Sequence, residues 1–182
     1  MKSLFLLVMA LTTITAHAIT VDEVTFDDKV NVAGKELVIN GVGIRKATFL
    51  KIKVYYGALY LTQKSTNAAT FLGTSDPKQI VMHFVRDVDL KDLKKTYGEA
   101  FEDGNKETYK PLLPTLDAFI SNIRDVKKGE RMTITFLPDG AQLDLAGKVS
   151  PKIGDAAFSK ALLNMYFVNP QDAGLTKGLL GN

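Results

Sequence analysis

Arg45 follows the stretch Asn40-Gly41-Val42-Gly43-Ile44 and precedes a long apolar run that carries Tyr55, Tyr56 and Tyr60. A guanidinium at the mouth of an apolar, tyrosine-bearing layer suits a carboxylate or an enolate, because it offers a planar fork of donors. The alternative is an exposed loop arginine paired with one of the many aspartates, an arrangement of little energetic consequence. Other reactive residue types are sparse. His83 is the sole histidine beyond residue 17; it stands between Met82 and Phe84 with no partner base, and reads as structural. No G-x-S-x-G elbow, no H-E-x-x-H and no cysteine occurs, so neither a histidine triad nor a metal or thiol site is expected, and no cofactor. The glycines at 41 and 43 lack a third partner and lead into a strand, which excludes a dinucleotide cradle. Asp87, Asp89 and Asp92 cluster where a helix begins, and negative charge is stabilised there, so they read as capping residues. Lys51 and Lys53 read as the solvated end of a strand.

These residues need elements to position them. The chain of 182 residues is 46% hydrophobic and 24% charged, a balance that excludes disordered, collagenous and multi-spanning membrane proteins. Met1-Lys2-Ser3, the apolar run Leu4–Leu11 and the small-x-small ending Ala16-His17-Ala18 form a secretory signal peptide with cleavage after Ala18. Export is therefore expected, to the periplasm if the source is Gram-negative. That apolar run is far short of the roughly 20 residues a membrane span needs. Residues 19–182 are enough for one core and too few for two ordinary domains. The formal charge of +3 gives no reason to expect nucleic acid.

Residues Val24–Phe26, Lys35–Ile39, Phe49–Leu61 and Ile80–Val85 are rich in β-branched and aromatic types and read as strands, with Gly34 and Asn40-Gly41 as turns between them. The second half of the Phe49–Leu61 run is apolar on both alternating faces, which predicts cover on both sides. The period then changes. Leu90, Leu93, Tyr97 and Phe101 predict a helix that opens after Asp89 and closes at Gly104, and Leu112 to Ile123 predict a second. Met132–Leu137 and Gln142–Ala146 read as a hairpin around Pro138-Asp139-Gly140, and Phe158 to Tyr166 as a third helix stopped by Asn169-Pro170. That order predicts an α+β fold, an antiparallel sheet with helices packed on one face.

The stretch Asn40 to Lys46, followed by Phe49 to Leu61 (FLKIKVYYGALYL), resembles the chalcone isomerase-like family. So do Phe84-Val85-Arg86-Asp87-Val88 and the closing segment Phe158 to Leu180. The similarity covers nearly all of residues 19–182 in order, and looks like the bacterial, secreted branch. It implies an open-faced β-sandwich, a large antiparallel sheet under a helical layer with a ligand cleft between. In the plant enzymes an arginine after a G-x-G-x-R turn lies beside the ligand, and Arg45 matches it. A threonine on the next strand polarises the substrate ketone there; Tyr55 stands at its place. The family's fatty-acid-binding relatives use an arginine and a tyrosine at these two places to hold a carboxylate, so Tyr55 points to the binding branch. The enzymes also carry a tyrosine and, seven residues on, an asparagine. Tyr97 matches the first, but Gly104 stands at the second, with Asn105 one further. A late threonine or serine of the enzymes aligns near Asn164. The implied ligand-binding set is Arg45, Tyr55, Tyr97 and Asn164.

Two functions follow from the resemblance. One is a binder of a fatty-acid-like or other amphiphilic carboxylate, where burying about ten methylenes is worth roughly 8 kcal/mol before ordering costs. The other is an isomerase of the intramolecular-lyase type, closing a ring by oxyanion addition to an enone with the same four residues as catalytic groups. Tyr55 favours the binder.

Overall fold

The computed structural model describes residues 18–47 and 50–182; the signal-peptide reading of residues 1–17 and the place of Phe49 lie outside them. Strands β1 (Ala18–Val21) and β2 (Val24–Asp27) form a separate hairpin. β3 (Lys29–Val32), β4 (Lys35–Ala47) and β5 (Ile52–Leu61) then open a sheet. After the short helix α1 (Ala68–Leu72), β6 (Lys78–Phe84) joins the sheet, and α2 (Leu90–Gly104) and α3 (Leu113–Ile120) follow. β7 (Arg131–Leu137), β8 (Gly140–Leu145) and β9 (Lys148–Val149) complete the sheet, and α4 (Ala156–Asn164) and α5 (Ala173–Leu179) close the described chain. The described strands β3 to β9 lie side by side in chain order, every neighbouring pair antiparallel.

The sheet has a core on each face. On one, Leu59, Ile80, Met82, Phe84, Met132, Ile134 and Leu143 pack against Leu93, Tyr97, Phe101, Phe119, Phe158 and Leu162 of the helices. On the other, Leu37, Ile39, Tyr56, Ala58, Tyr60 and Val81 are covered by Val24 and Phe26 of the β1–β2 hairpin. The fold is thus an α+β open-faced sandwich with the helices on one side, as the change of apolar period implied. Double cover of β5 beyond Lys53 explains why its sequence is apolar on both faces from there on.

Some elements differ from the sequence reading. Asn40-Gly41 makes no turn; β4 runs straight through it, with a register shift between Ile39 and Gly41 where the strand bulges. The bulge lets Ile39 and Val42 both reach the hairpin-side core, and Arg45 is consequently a strand residue, not a loop one. The tyrosines of β5 do not share one layer. Tyr56 and Tyr60 face the hairpin and Tyr55 faces the helices, because successive strand residues alternate. Asp89 occupies the N-cap position of α2 but makes no side-chain cap bond; Asp125 accepts from the Leu90 N–H at 2.8 Å instead. α3 ends at Ile120, and Ile123 and Val126 are buried from an extended segment whose Val126 pairs with Val88. α4 ends at Asn164, so Tyr166 lies in the turn after it. Lys51 sits in the β4–β5 turn with φ 52° instead of in the strand.

Candidate functional site

The glycines at 41 and 43 have a packing role. A Cβ on Gly41 would collide with the Gly178 carbonyl and one on Gly43 with the Leu175 carbonyl, so two bare positions let α5 lie directly on β4. Gly178 reciprocates, because its own Cβ would strike Gly43. Contact this close brings the start of α5 over Arg45. Asp172 caps α5 by accepting from the Leu175 N–H at 3.0 Å, and its second oxygen accepts from the Lys46 N–H at 2.9 Å. The same oxygen lies 3.4 Å from the Arg45 guanidinium. Burial opposes ionisation of Asp172, but these two N–H groups and the arginine outweigh it and hold the carboxyl below the usual aspartate value.

Arg45 and Tyr55 are directly opposite each other on β4 and β5, so their side chains leave the sheet on the same face, beneath the helices. A second register shift, between Arg45 and Lys46, leaves Val54 as the extra residue of β5 at this point. The Tyr55 ring packs on Phe84 of β6 with centroids 5.3 Å apart. Above them, Tyr97 comes from α2 and Tyr166 from the turn after α4. Together with Met82, Met132, Met165 and Leu175, these groups line an inner chamber of about 70 Å³. Arg45, Tyr55, Phe84, Leu93 and Thr96 also line an outer cleft of about 460 Å³, whose lips are Ala47 and Val54 on one bank and Arg86 to Asp92 on the other.

The chamber holds neutral hydroxyls beside one cation. Burial pushes the phenols of Tyr55, Tyr97 and Tyr166 well above their usual value, so all three stay protonated and can donate. The Tyr97 hydroxyl is buried and makes no hydrogen bond of good geometry among the described residues; Tyr166 is close enough to influence its ionisation, but the Tyr166 hydroxyl points to the Met82 sulfur at 4.0 Å. An unpaired buried hydroxyl is costly unless something in the chamber receives it. Arg45 keeps most of its donor fork, since one long contact to Asp172 is its ion pair among the described residues. No group of three or more His, Asp or Glu side chains able to hold a metal occurs among the described residues.

Of the four residues singled out by sequence, Arg45, Tyr55 and Tyr97 meet at this cavity and Asn164 does not. Asn164 is the last residue of α4, and its amide donates to Asn105 Oδ1 at 3.0 Å. Asn105 in turn donates to the carbonyls of Phe101 and Ala161, so the pair fastens α2 to α4. Gly104 belongs to the same junction, because a Cβ there would press on the Asn164 carbonyl. His83 lies elsewhere, between Tyr56 and Arg131 across the sheet, beside Asp22 and Lys53 on the hairpin side. Sequence reasoning missed Asp172, Tyr166 and the methionines. Of these only Asp172 left a local signal, an N-cap aspartate two residues after Pro170.

The sequence model of the chalcone isomerase-like family matches residues 18–181. The chain belongs to the chalcone isomerase-like family. No curated protein matches its sequence. Its fold is similar to that of a crystallised fatty-acid binding protein of Arabidopsis thaliana, with a TM-score of 0.66 over 90% of this chain and 96% of that one. Identity is 12%, so this likeness speaks to the fold.

Proposed function

We propose that this chalcone isomerase-like chain is a non-catalytic binder of a fatty-acid-like or similar amphiphilic carboxylate. The head group meets Arg45 and Tyr55, with Tyr97 donating from the helical layer. The observation that carries this reading is the cross-strand pair of Arg45 and Tyr55 at the junction of an apolar chamber and an outer cleft. The fatty-acid-binding description of its structural neighbour supports the same ligand class. The inner chamber of about 70 Å³ holds only a couple of waters at roughly 30 Å³ each, so a long tail that enters it from the outer cleft displaces side chains. Met82, Met132 and Met165 are suited to give way, because their unbranched thioethers repack easily. The three-part leader supports export of the chain, with the family match beginning at residue 18; the intact mass of the exported protein tests cleavage after Ala18.

The test of function is to purify the protein, extract what co-purifies, and assay chalcone cyclisation by absorbance. Bound amphiphile without turnover supports the reading, and turnover above buffer overturns it in favour of the isomerase. Arg45→Ala should weaken binding of a fluorescent fatty acid by about 1.5–3 kcal/mol, the range for a charge-assisted hydrogen bond. Unchanged affinity in the folded variant would return Arg45 to a purely structural pairing with Asp172.

A further inference from the structure

The β4–β5 hairpin combines charge with exposed apolar surface at the lip of the cleft. Between Glu36 and Asp76 the chain has no acidic residue, while Arg45, Lys46, Lys51 and Lys53 crowd around the hairpin end. Arg45 and Lys53 are paired, with Asp172 and Asp22. Lys46 and Lys51 are exposed, and neither has an ion pair among the described residues. The same end carries Leu50, 64% exposed, and Ile52, 40% exposed, whereas the other large exposed hydrophobics, Ile19, Leu113 and Val149, stand singly on separate elements. Single exposed apolar residues are ordinary. Two of them beside two lysines that have no ion pair among the described residues make an amphipathic patch on the described flanks of the hairpin, and Ala47 and Val54 of the same hairpin line the cleft.

We propose that this patch docks on an anionic lipid bilayer, with Leu50 and Ile52 entering the interface and Lys46 and Lys51 meeting the head groups. Interfacial binding of this kind grows with buried apolar area and with attraction to anionic lipid. The opposite bank carries Asp87, Asp89 and Asp92 with Arg86 among them. Lys127 pairs with Asp87 on that bank, so its charges largely offset one another, and the unpaired lysines of the hairpin bank make it the side that meets the anionic surface. An amphiphilic ligand would then pass between bilayer and cleft without exposing its tail to water; this last step rests on the ligand class proposed above.

The experiment is co-sedimentation of the purified protein with vesicles of equal parts phosphatidylglycerol and phosphatidylcholine, or of phosphatidylcholine alone, at about 0.1 M salt, where exposed charges still act over roughly 10 Å. Wild type should sediment with the anionic vesicles and be released by high salt. Lys46→Gln with Lys51→Gln should weaken partition by roughly fivefold per lysine. Leu50→Ser with Ile52→Ser should weaken it by at least about tenfold. Both variants should keep the wild-type melting temperature and, in vesicle-free buffer, the wild-type affinity for a fluorescent fatty acid. Equal sedimentation with both vesicle types, or variants that sediment like wild type, overturns the proposal. A change of oligomeric state in the Leu50/Ile52 variant also overturns it, by making a second copy the occupant. If the variants lose vesicle binding while no form takes up the fatty acid, the docking surface stands and the ligand reading falls.

Discussion

Arg45 is at once a site residue and a structural one. Its partner Asp172 caps α5, grips the Lys46 N–H and lies within 3.4 Å of the guanidinium, so the arginine is aimed before any ligand arrives. Such preorganisation reduces the ordering cost of binding. The Asp172 carboxyl is held below its usual value against the opposing effect of burial. A lowered folded-state value means the fold favours the anion: that contribution is complete above the unfolded value, about 3.9, and disappears as pH falls through the folded one. Asp172→Asn removes this dependence while keeping a cap acceptor. Its unfolding midpoint in urea should therefore decline less steeply than that of wild type below about pH 4. Parallel acid limbs would show that the carboxylate charge adds nothing. At Tyr55 the ring packs on Phe84 and the residue lines the chamber, so Tyr55→Phe separates the packing of the ring from the role of the hydroxyl. Ligand affinity should fall by about 1 kcal/mol with stability nearly unchanged. A melting temperature several degrees lower with intact affinity would assign the hydroxyl to the core.

The decisive packing between elements is α5 on β4. Gly43 has no room for a methyl group, because the Leu175 backbone occupies that place. Gly43→Ala should cost about 1–3 kcal/mol through overpacking. It should also weaken ligand binding, since lifting α5 carries Asp172 away from Arg45. Gly98 provides the contrast, lying inside α2 where an added Cβ meets nothing within 4 Å. Gly98→Ala should stabilise the protein by about 1 kcal/mol, read as a higher denaturation midpoint with unchanged ligand affinity. If both substitutions shift stability in the same direction, the account of the β4–α5 contact fails. Residue type alone could not separate these two glycines; what differs is the backbone that lies over one of them.

For the whole molecule, one sheet separates two cores, and the cleft beside Arg45 and Tyr55 opens into the helix-side core. Ligand binding must therefore report on folding, because the unfolded chain has no chamber. With a fatty acid present at about 100 times its dissociation constant, linkage predicts about 2.7 kcal/mol of added stability. For a protein of this size that corresponds to a rise of roughly 5–10 °C in melting temperature, measurable by calorimetry. A short-chain acid at the same concentration should produce a smaller rise, because fewer methylenes are buried. Equal shifts for short and long chains would mean that the tail remains outside.

Local periodicity determined much of this molecule. The spacing of Leu93, Tyr97 and Phe101 sufficed for α2, alternation sufficed for β7 and β8 around Pro138-Asp139, and the apolar density of β5 announced cover on both faces. The family resemblance singled out Arg45 and Tyr55 together, and the structure sets the two at one cavity. What sequence left open depends on contacts across long separations. Asn40-Gly41 favours a turn locally, but pairing with β5 and the backbone of α5, more than 130 residues later, hold it as a bulge in a continuous strand. Asn164 falls where the family's enzymes carry a polar group, yet the α2–α4 junction through Asn105 turns it away from the cavity. Asp172 became part of the site only because two glycines let α5 settle over Arg45. No window of sequence contains both partners of that contact, so only the tertiary structure could decide it.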